Sequence, residues 1–459
     1  MYIADTIVAT ATPPGQGAVA IIRLSGPRAI AIAHALWRPL KKSPPRRREL
    51  RLGDIRDPVS ERLIDRAMCV TMPAPHSLTG EDVAELHCHG GVYLVRRVTA
   101  LALDLGARIA EPGEFSRRAF LNGRLGLTEA EAIADLVAAR GESALRQALA
   151  QMHGALAMRV DHMRDQVIAI RAHLEAAIDF AEEDIKLPSG NEIAAQIERL
   201  IEDVTLLHDS FLRGHLKREG ARAAIIGKPN VGKSSILNLL LGAERAIVTP
   251  IAGTTRDVIE DSVSLGPYTL VLLDTAGMRE SADQIERLGI ERARESSRAA
   301  DLLIAVFDSS RPFEADDAEV IGICHGRPGL ALLNKRDLAP RLDVSELRAR
   351  CLDLQIMEFC AIDTDGVGAL RDRLAVTVEE LAEPSGGEDV VISRERHRAA
   401  LATAREALGR ARVAALGGLA PELVAVDVMI AGDALGAITG AIGTEDVLDA
   451  VFREFCIGK

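Results

Sequence analysis

Residues 223–235 read AAIIGKPNVGKSS, an apolar run closing on GxxxxGKS, and the helix-forming run ILNLLLG follows directly. Each residue type in that loop has a chemical use. Gly227 and Gly232 let backbone N–H groups approach phosphate oxygens, while Lys233 brings a point charge to the β- and γ-phosphates. Ser234 offers a hydroxyl to Mg²⁺. Asn230, Val231 and Ser235 complete the stretch that would wrap a phosphate chain.

Three further segments fit the same chemistry. LVLLDTAG at residues 270–277 is an apolar strand ending on Asp274, Thr275, Ala276 and Gly277. Asp274 suits Mg²⁺ held through water, and the Gly277 N–H suits the γ-phosphate. GLALLNKRD at residues 329–337 ends another apolar strand in NKxD. There Asp337 can accept from two N–H groups on the edge of guanine, a pattern adenine lacks, so GTP is favoured over ATP. Asn334 would brace that loop and Lys335 would lay its aliphatic stem on the base. Between the phosphate loop and DTAG lies IVTPIAGTTRD, with Thr249, Pro250, Ile251, Ala252, Gly253, Thr254 and Thr255 where a switch loop belongs. Thr255 is its natural second hydroxyl ligand for Mg²⁺. Ras-like proteins carry a water-orienting Gln just after DTAG, but this chain has Met278, which has no such capacity. Glu286, a carboxylate in the following DQIERLGIERA, is the candidate replacement, and Asp283 is its competitor.

These loops need a scaffold. Apolar strands and helices alternate across residues 218–382, the pattern of a doubly wound parallel sheet of Ras-like type. Residues 1–122 mix short β-rich runs at 6–11, 18–24, 66–72 and 84–89 with one helical stretch at 92–105, an α+β pattern. From residue 123 to 217 the pattern is helical. Leu145, Leu149, Met152, Leu156, Met163, Val167, Ile170, Leu174 and Ala177 recur at a 3/4 spacing, broken only where Arg159 takes a seam position and Val160 stands beside it, which calls for one long amphipathic helix or a bent pair burying them on one face. A second helical region spans 192–216. After the PSGG linker at 384–387 helical periodicity returns, so residues 383–459 form the second half of a helical domain into which the nucleotide domain is inserted. The expected fold class is therefore multidomain: α+β, all-α and α/β in one chain.

Composition limits the partners. A net charge of −12 over 459 residues excludes a surface that is basic overall, so contact with nucleic acid must use a local patch. KKSPPRRRELR at 41–51 and SRERHR at 393–398 are basic clusters expected to be solvated loops. No run of 18 apolar residues exists to span a bilayer, and the N-terminus lacks the features of a secretory signal, so the expectation is a cytoplasmic protein without membrane contact. The six cysteines are scattered without a CxxC pair, as buried small hydrophobes would be.

The chain as a whole resembles the tRNA-modification GTPase family called MnmE, TrmE or ThdF. The resemblance rests on TIVATATPPGQGAVAIIRLSG at 6–26, SLTGEDVAELHCHGG at 77–91, EPGEFSRRAFLNGRLGLTEAEAIADL at 111–136 and CIGK at 456–459, beside the nucleotide motifs. It implies that the N-terminal part is a tetrahydrofolate-binding, dimer-forming module. Arg23, Glu85, Arg124 and Lys459 match its positions for 5-formyltetrahydrofolate: cations suit the glutamyl carboxylates and a Glu suits the donor edge of the pterin. Arg124 stands where the family often has Lys. The resemblance also implies a K⁺ ion in place of an arginine finger, held by Asn230, Thr249, Ile251 and Thr254, and completed when two nucleotide domains pair across a homodimer. Cys456, on the C-terminal tail, is implied as functional, either as catalyst or as neighbour of the ligand. The implied activity is GTP hydrolysis by a homodimer that works with the flavoprotein MnmG, in a heterotetrameric complex, to install an aminomethyl or carboxymethylaminomethyl group at C5 of the wobble uridine of certain tRNAs, a tetrahydrofolate unit supplying the methylene.

Two rival readings share part of this pattern. A regulatory switch or ribosome-assembly GTPase carries every nucleotide motif but has no use for the HCHGG, PGEF and CIGK segments. A folate-dependent one-carbon transferase with structural GTP would show no turnover.

Overall fold

The computed structural model describes residues 5–41, 48–180, 187–243, 261–273, 288–352, 354–363, 366–382, 390–441, 445–453, 455 and 458. They fall into two units, 5–134 with 435–458, and 135–434.

The first unit is built on a seven-stranded sheet of β1 (Ile7–Thr10), β2 (Gly17–Ser25), β3 (Trp37–Pro39), β4 (Arg51–Arg56), β5 (Leu63–Met72), β6 (Val83–Gly90) and β7 (Arg108–Ile109), in the order β3-β4-β5-β6-β2-β1-β7. All pairs are antiparallel except β1 with β7. Side chains alternate across a strand. Ala20, Ile22 and Leu24 of β2 and Ala84, Leu86 and Cys88 of β6 therefore enter one core with the helices Ala29–Leu36 and Val92–Asp104. Arg23, Glu85 and His87 occupy the opposite face. A smaller core joins Leu127 and Ala130 to Leu448, Val451, Phe452 and Phe455, seating the C-terminal helix Glu445–Arg453 on this unit. Strands β3 and β4 and the helices Ala29–Leu36 and Glu114–Leu121 add to the elements read from the sequence.

In the second unit the strands are β8 (Ala221–Ile226), β9 (Asp261–Leu265), β10 (Tyr268–Leu272), β11 (Leu302–Asp308), β12 (Gly329–Asn334) and β13 (Gln355–Glu358), ordered β13-β12-β11-β8-β10-β9. Only β9 runs antiparallel. Strands β11 and β12 are buried at every position, as a parallel sheet covered on both faces requires. Ile236, Leu237, Leu240, Val367, Leu370 and Leu374 cover one face, and Val320, Cys324 and Leu347 the other. Strand β8 lies between β10 and β11, so the loop after it opens at the point where strand order reverses, the position at which such sheets bind ligands. The fold thus combines α+β, helical and doubly wound α/β parts.

The helical stripe beginning at Leu145 is a bent pair: Glu142–Met152 and Ala155–Asp179, parted at His153 and Gly154. Leu156, Met163, Val167, Ile170 and Leu174 are buried as the spacing requires, and Val160, beside the break at Arg159, is buried with them. In the shorter helix the buried face is Ala144, Ala148 and Gln151, and Leu145 is exposed. That buried face lies one residue from the apolar stripe, and on it Gln151 Nε2 donates to Val391 O at 3.2 Å. The 192–216 region splits into Gly190–Asp209 and Phe211–Glu219, the first capped by Ser189 and Glu192 and packed along Glu395–Leu416. The basic cluster at 393–398 is not a solvated loop. Arg394 is 8% exposed and donates to Asp135 at 2.7 Å, and His397 is buried. Asp135 accepts from Arg218 as well, at 2.8 Å. Of the cysteines, Cys69, Cys88, Cys324 and Cys351 are buried, and burial pushes the Cys69 thiol up to about 12. No helix among the described residues is long and apolar enough to cross a membrane.

Candidate functional site

The phosphate loop leaves the end of β8 and delivers the chain to the helix Lys233–Ala243, so the unpaired N–H groups of a helix start point into the loop. Asn230, exposed at the crest, holds a left-handed φ of 63°. Gly232 has φ 103°, and a Cβ there would sit 2.2 Å from Asn334 Nδ2. No other residue type fits that crossing. Lys233 Nζ donates to Gly227 O at 2.8 Å and Lys228 O at 2.7 Å, and burial lowers the pKa of its ammonium. Its charge is held inside the loop that would receive phosphate. Ser234 follows in the first helical turn, exposed.

Asn334 ends β12 at 2% exposure and ties three loops together. Its Nδ2 donates to Val231 O at 2.7 Å, and its Oδ1 accepts from Ala361 N at 2.9 Å. Its carbonyl accepts from Ser309 N and Ser309 Oγ at 2.9 and 2.8 Å. Lys335 has φ 65° and donates its ammonium to Asp308 Oδ2 at 2.7 Å. Burial alone would raise the Asp308 carboxyl, but Lys335 and Ser310 hold it below the usual carboxylate value. Exposed Asp337 accepts from Cys360 Sγ at 3.3 Å. The phosphate loop and the NKxD loop therefore share one wall.

Asp308, Ser309, Cys360 and Ala361 were not legible from motif reading. Asp308 ends β11 and Ser309 follows it, Cys360 and Ala361 follow β13, and only the sheet order brings those strand ends beside NKxD. The switch-loop residues Thr249, Pro250, Ile251, Ala252, Gly253, Thr254 and Thr255, the residues Asp274, Thr275, Ala276, Gly277, Met278, Asp283 and Glu286, and the tail residues Cys456 and Lys459 lie outside the described residues. Among the described residues no three His, Cys, Asp or Glu side chains converge as a metal site of that kind requires.

In the first unit, Arg23 faces Glu85 across the β2–β6 register, with Nε 2.8 Å from Oε1, the side chains 20% and 15% exposed. Glu85 also meets His87 Nε2 at 3.1 Å, and Arg23 lies 5.7 Å over the Phe115 ring. Arg23 Nη1 donates to Gly458 O at 3.3 Å, bringing the C-terminal tail to this pair. Arg124 is placed along the Gly80 turn, its Cγ 3.1 Å from where a Cβ on that glycine would stand. The structure thus brings Arg23 and Glu85 together and sets Arg124 on a neighbouring loop.

Two family models match the chain: "GTP-binding protein TrmE N-terminus" over residues 6–124 and "MnmE helical domain" over residues 127–456. Curated relatives match end to end. The tRNA modification GTPase MnmE of Natranaerobius thermophilus is 39% identical over 99% of both chains. That of Heliobacterium modesticaldum is 42% identical over the whole of both, and that of Chloroflexus aurantiacus 43% identical over 99% of this chain and all of its own. Among solved structures, a variant of Era from Aquifex aeolicus bound to GDP and AlF4⁻ shares 27% of residues over 41% of this chain and 66% of its own, with a TM-score of 0.28.

Proposed function

The chain belongs to the MnmE family of tRNA modification GTPases, and on that premise we propose that it couples GTP hydrolysis to modification of C5 of the wobble uridine in tRNA. What supports the nucleotide reading is the single side chain Asn334, which bonds the phosphate loop at Val231 and the segment after β13 at Ala361 while ending the strand that carries NKxD. A base held at Asp337 and phosphates held at Lys233 then belong to one ligand. Asp337 accepts from the two guanine N–H groups, and Lys233 meets the β- and γ-phosphates.

Mg²⁺ suits this loop by its donor chemistry, with the Ser234 hydroxyl at the first turn of the helix and Thr255 and Asp274 as its further holders. Bound there, it neutralises charge developing on the β- and γ-phosphates. Asn230, exposed at the loop crest, would hold K⁺ together with Thr249, Ile251 and Thr254. Glu286 orients the water that displaces GDP from the γ-phosphoryl group. In the first unit Arg23, Glu85, Arg124 and Lys459 would hold 5-formyltetrahydrofolate or a related derivative. The Arg23–Glu85 pair fits by chemistry, one cation for a glutamyl carboxylate beside one carboxylate for a pterin edge. Cys456 would act near that ligand.

The parts we assign are a folate-binding and dimerisation domain at 1–122, a helical domain at 123–217 and 383–459, and the GTPase at 218–382. The protein works as a cytoplasmic homodimer with the flavoprotein MnmG. Turnover of GTP by the purified protein in matched KCl and NaCl tests this reading. Hydrolysis that rises in K⁺ alone supports it, and equal rates in the two salts remove the K⁺ assignment.

A further inference from the structure

The side chain of Lys228, the residue after the first glycine of the phosphate loop, takes no part in the chemistry above, yet the residue is only 9% exposed. Its Nζ stands 2.7 Å from Glu314 Oε2 and 2.7 Å from Asp317 Oδ2. Asp317 is buried and Glu314 is half open to solvent. Burial alone would lower the pKa of this ammonium, and the two carboxylates more than reverse that. The carboxylates are fixed in turn. Glu314 caps the helix Ala315–Cys324, and Asp317 accepts from Glu314 N at 3.0 Å. A lysine so confined cannot swing, and its backbone is held with it.

That backbone matters because the Lys228 carbonyl is one of the two that hold the Lys233 ammonium, at 2.7 Å. The stretch bearing the carboxylates also begins at the guanine end of the site. Asp308, at its start, holds Lys335, and Ser309 bonds Asn334 O. Residues 308–317 thus grip the NKxD loop at one end and the phosphate loop at the other.

We propose that Lys228 is a positioning residue for the triphosphate: clamped by Glu314 and Asp317, it fixes the carbonyls that aim Lys233, and so sets the phosphate cradle relative to the guanine loop. This rests on the GTPase reading and adds a second tier of residues to it. The full-length chain is compared as wild type, Lys228→Met, Lys228→Arg and the triple variant Lys228→Met/Glu314→Gln/Asp317→Asn. Each is measured for GDP affinity with a fluorescent GDP analogue, for KM and kcat with GTP, and for thermal unfolding. Lys228→Met is expected to weaken GDP binding and raise KM by about tenfold or more, the scale of a charge-assisted pair, with kcat changed less than about threefold. Lys228→Arg, which can reach the same carboxylates, should recover most of the affinity. The triple variant separates positioning from burial of charge, because it removes the unpaired acids without restoring the anchor. Recovery of its melting temperature with affinity still weak supports the proposal. Recovery of both overturns it, since the lysine would then only neutralise buried carboxylates. If Lys228→Met does not fold, the triple variant decides alone by the same two results. Wild-type affinity in a folded Lys228→Met also overturns the proposal, whereas a wild-type protein that fails to bind GTP removes the nucleotide reading instead.

Discussion

Replacing Asn334 with alanine removes two hydrogen bonds at once, and the structure sets the size of the effect. Val231 is 2% exposed, so its carbonyl, stripped of the 2.7 Å bond from Nδ2, is left buried without that partner. An orphaned buried acceptor costs about 1–3 kcal/mol. The other partner, Ala361 N, is only half-buried and can recruit solvent, so its loss costs about 1 kcal/mol. Together these come to about 2–4 kcal/mol, and at 1.4 kcal/mol per decade roughly 30- to 700-fold in the equilibrium that keeps the loops assembled. Two assays divide the effect. Amide exchange at Ala361 should accelerate by about tenfold or more, because its acceptor has gone. GDP affinity should fall by at least about tenfold, because the nucleotide must reassemble the wall it binds. Asn334→Asp keeps the acceptor and loses the donor, so Ala361 should stay protected while GDP still binds weakly. An alanine variant with both exchange and affinity unchanged refutes the claim that this side chain joins the two halves of the site.

Asp337→Asn should weaken GTP and favour xanthosine triphosphate, since the carboxylate reads two donors of guanine, a discrimination worth about 10⁴-fold where such pairing is buried; competition binding measures it, and an unchanged preference defeats the assignment. Glu286→Ala should keep GTP affinity and lose most single-turnover hydrolysis in K⁺, because the role proposed for this residue is on water in the transition state. Loss in Asp283→Ala with normal turnover in Glu286→Ala would reassign that role. Gly458→Ala should weaken binding of 5-formyltetrahydrofolate by about tenfold: its φ is 101° and a Cβ would stand 2.3 Å from Thr10 O, so the tail must leave Arg23. Calorimetry with the folate checks it, and undiminished affinity separates the tail from the site.

Where local chemistry dictates structure, the sequence was readable. Gly232 and Lys233 announce a phosphate loop because few residues tolerate that turn, and the strands β11 and β12, apolar up to their last residues Asp308 and Asn334, announce a sheet covered on both faces. The spacing allows one long helix or a bent pair, and the bend at Gly154 makes it the second; the rotation that buries Ala144 and Ala148 in place of Leu145 has no local signal, since Gln151 on that face meets a carbonyl far along the chain. Arg394 looked like a solvated charge because nothing near it in sequence shows that Asp135 waits for it. Cys360, Ala361 and Asp308 were hidden for the same reason: their neighbours are set by strand order rather than by spacing. Asn334 belongs to a motif and yet acts by holding loops together, whereas Asp308 and Ala361, which it or its neighbour bonds, meet the site only through long-range contacts that leave no local pattern.

On the proposed function, GTP turnover in this chain serves tRNA modification. Mass spectrometry of wobble uridines tests it most directly, in cells lacking the protein and resupplied with the wild type or with Lys233→Ala. The C5 modification should return with the wild type and stay absent with Lys233→Ala. Modification restored equally by both would contradict it, because the phosphate loop would then have no part in the reaction.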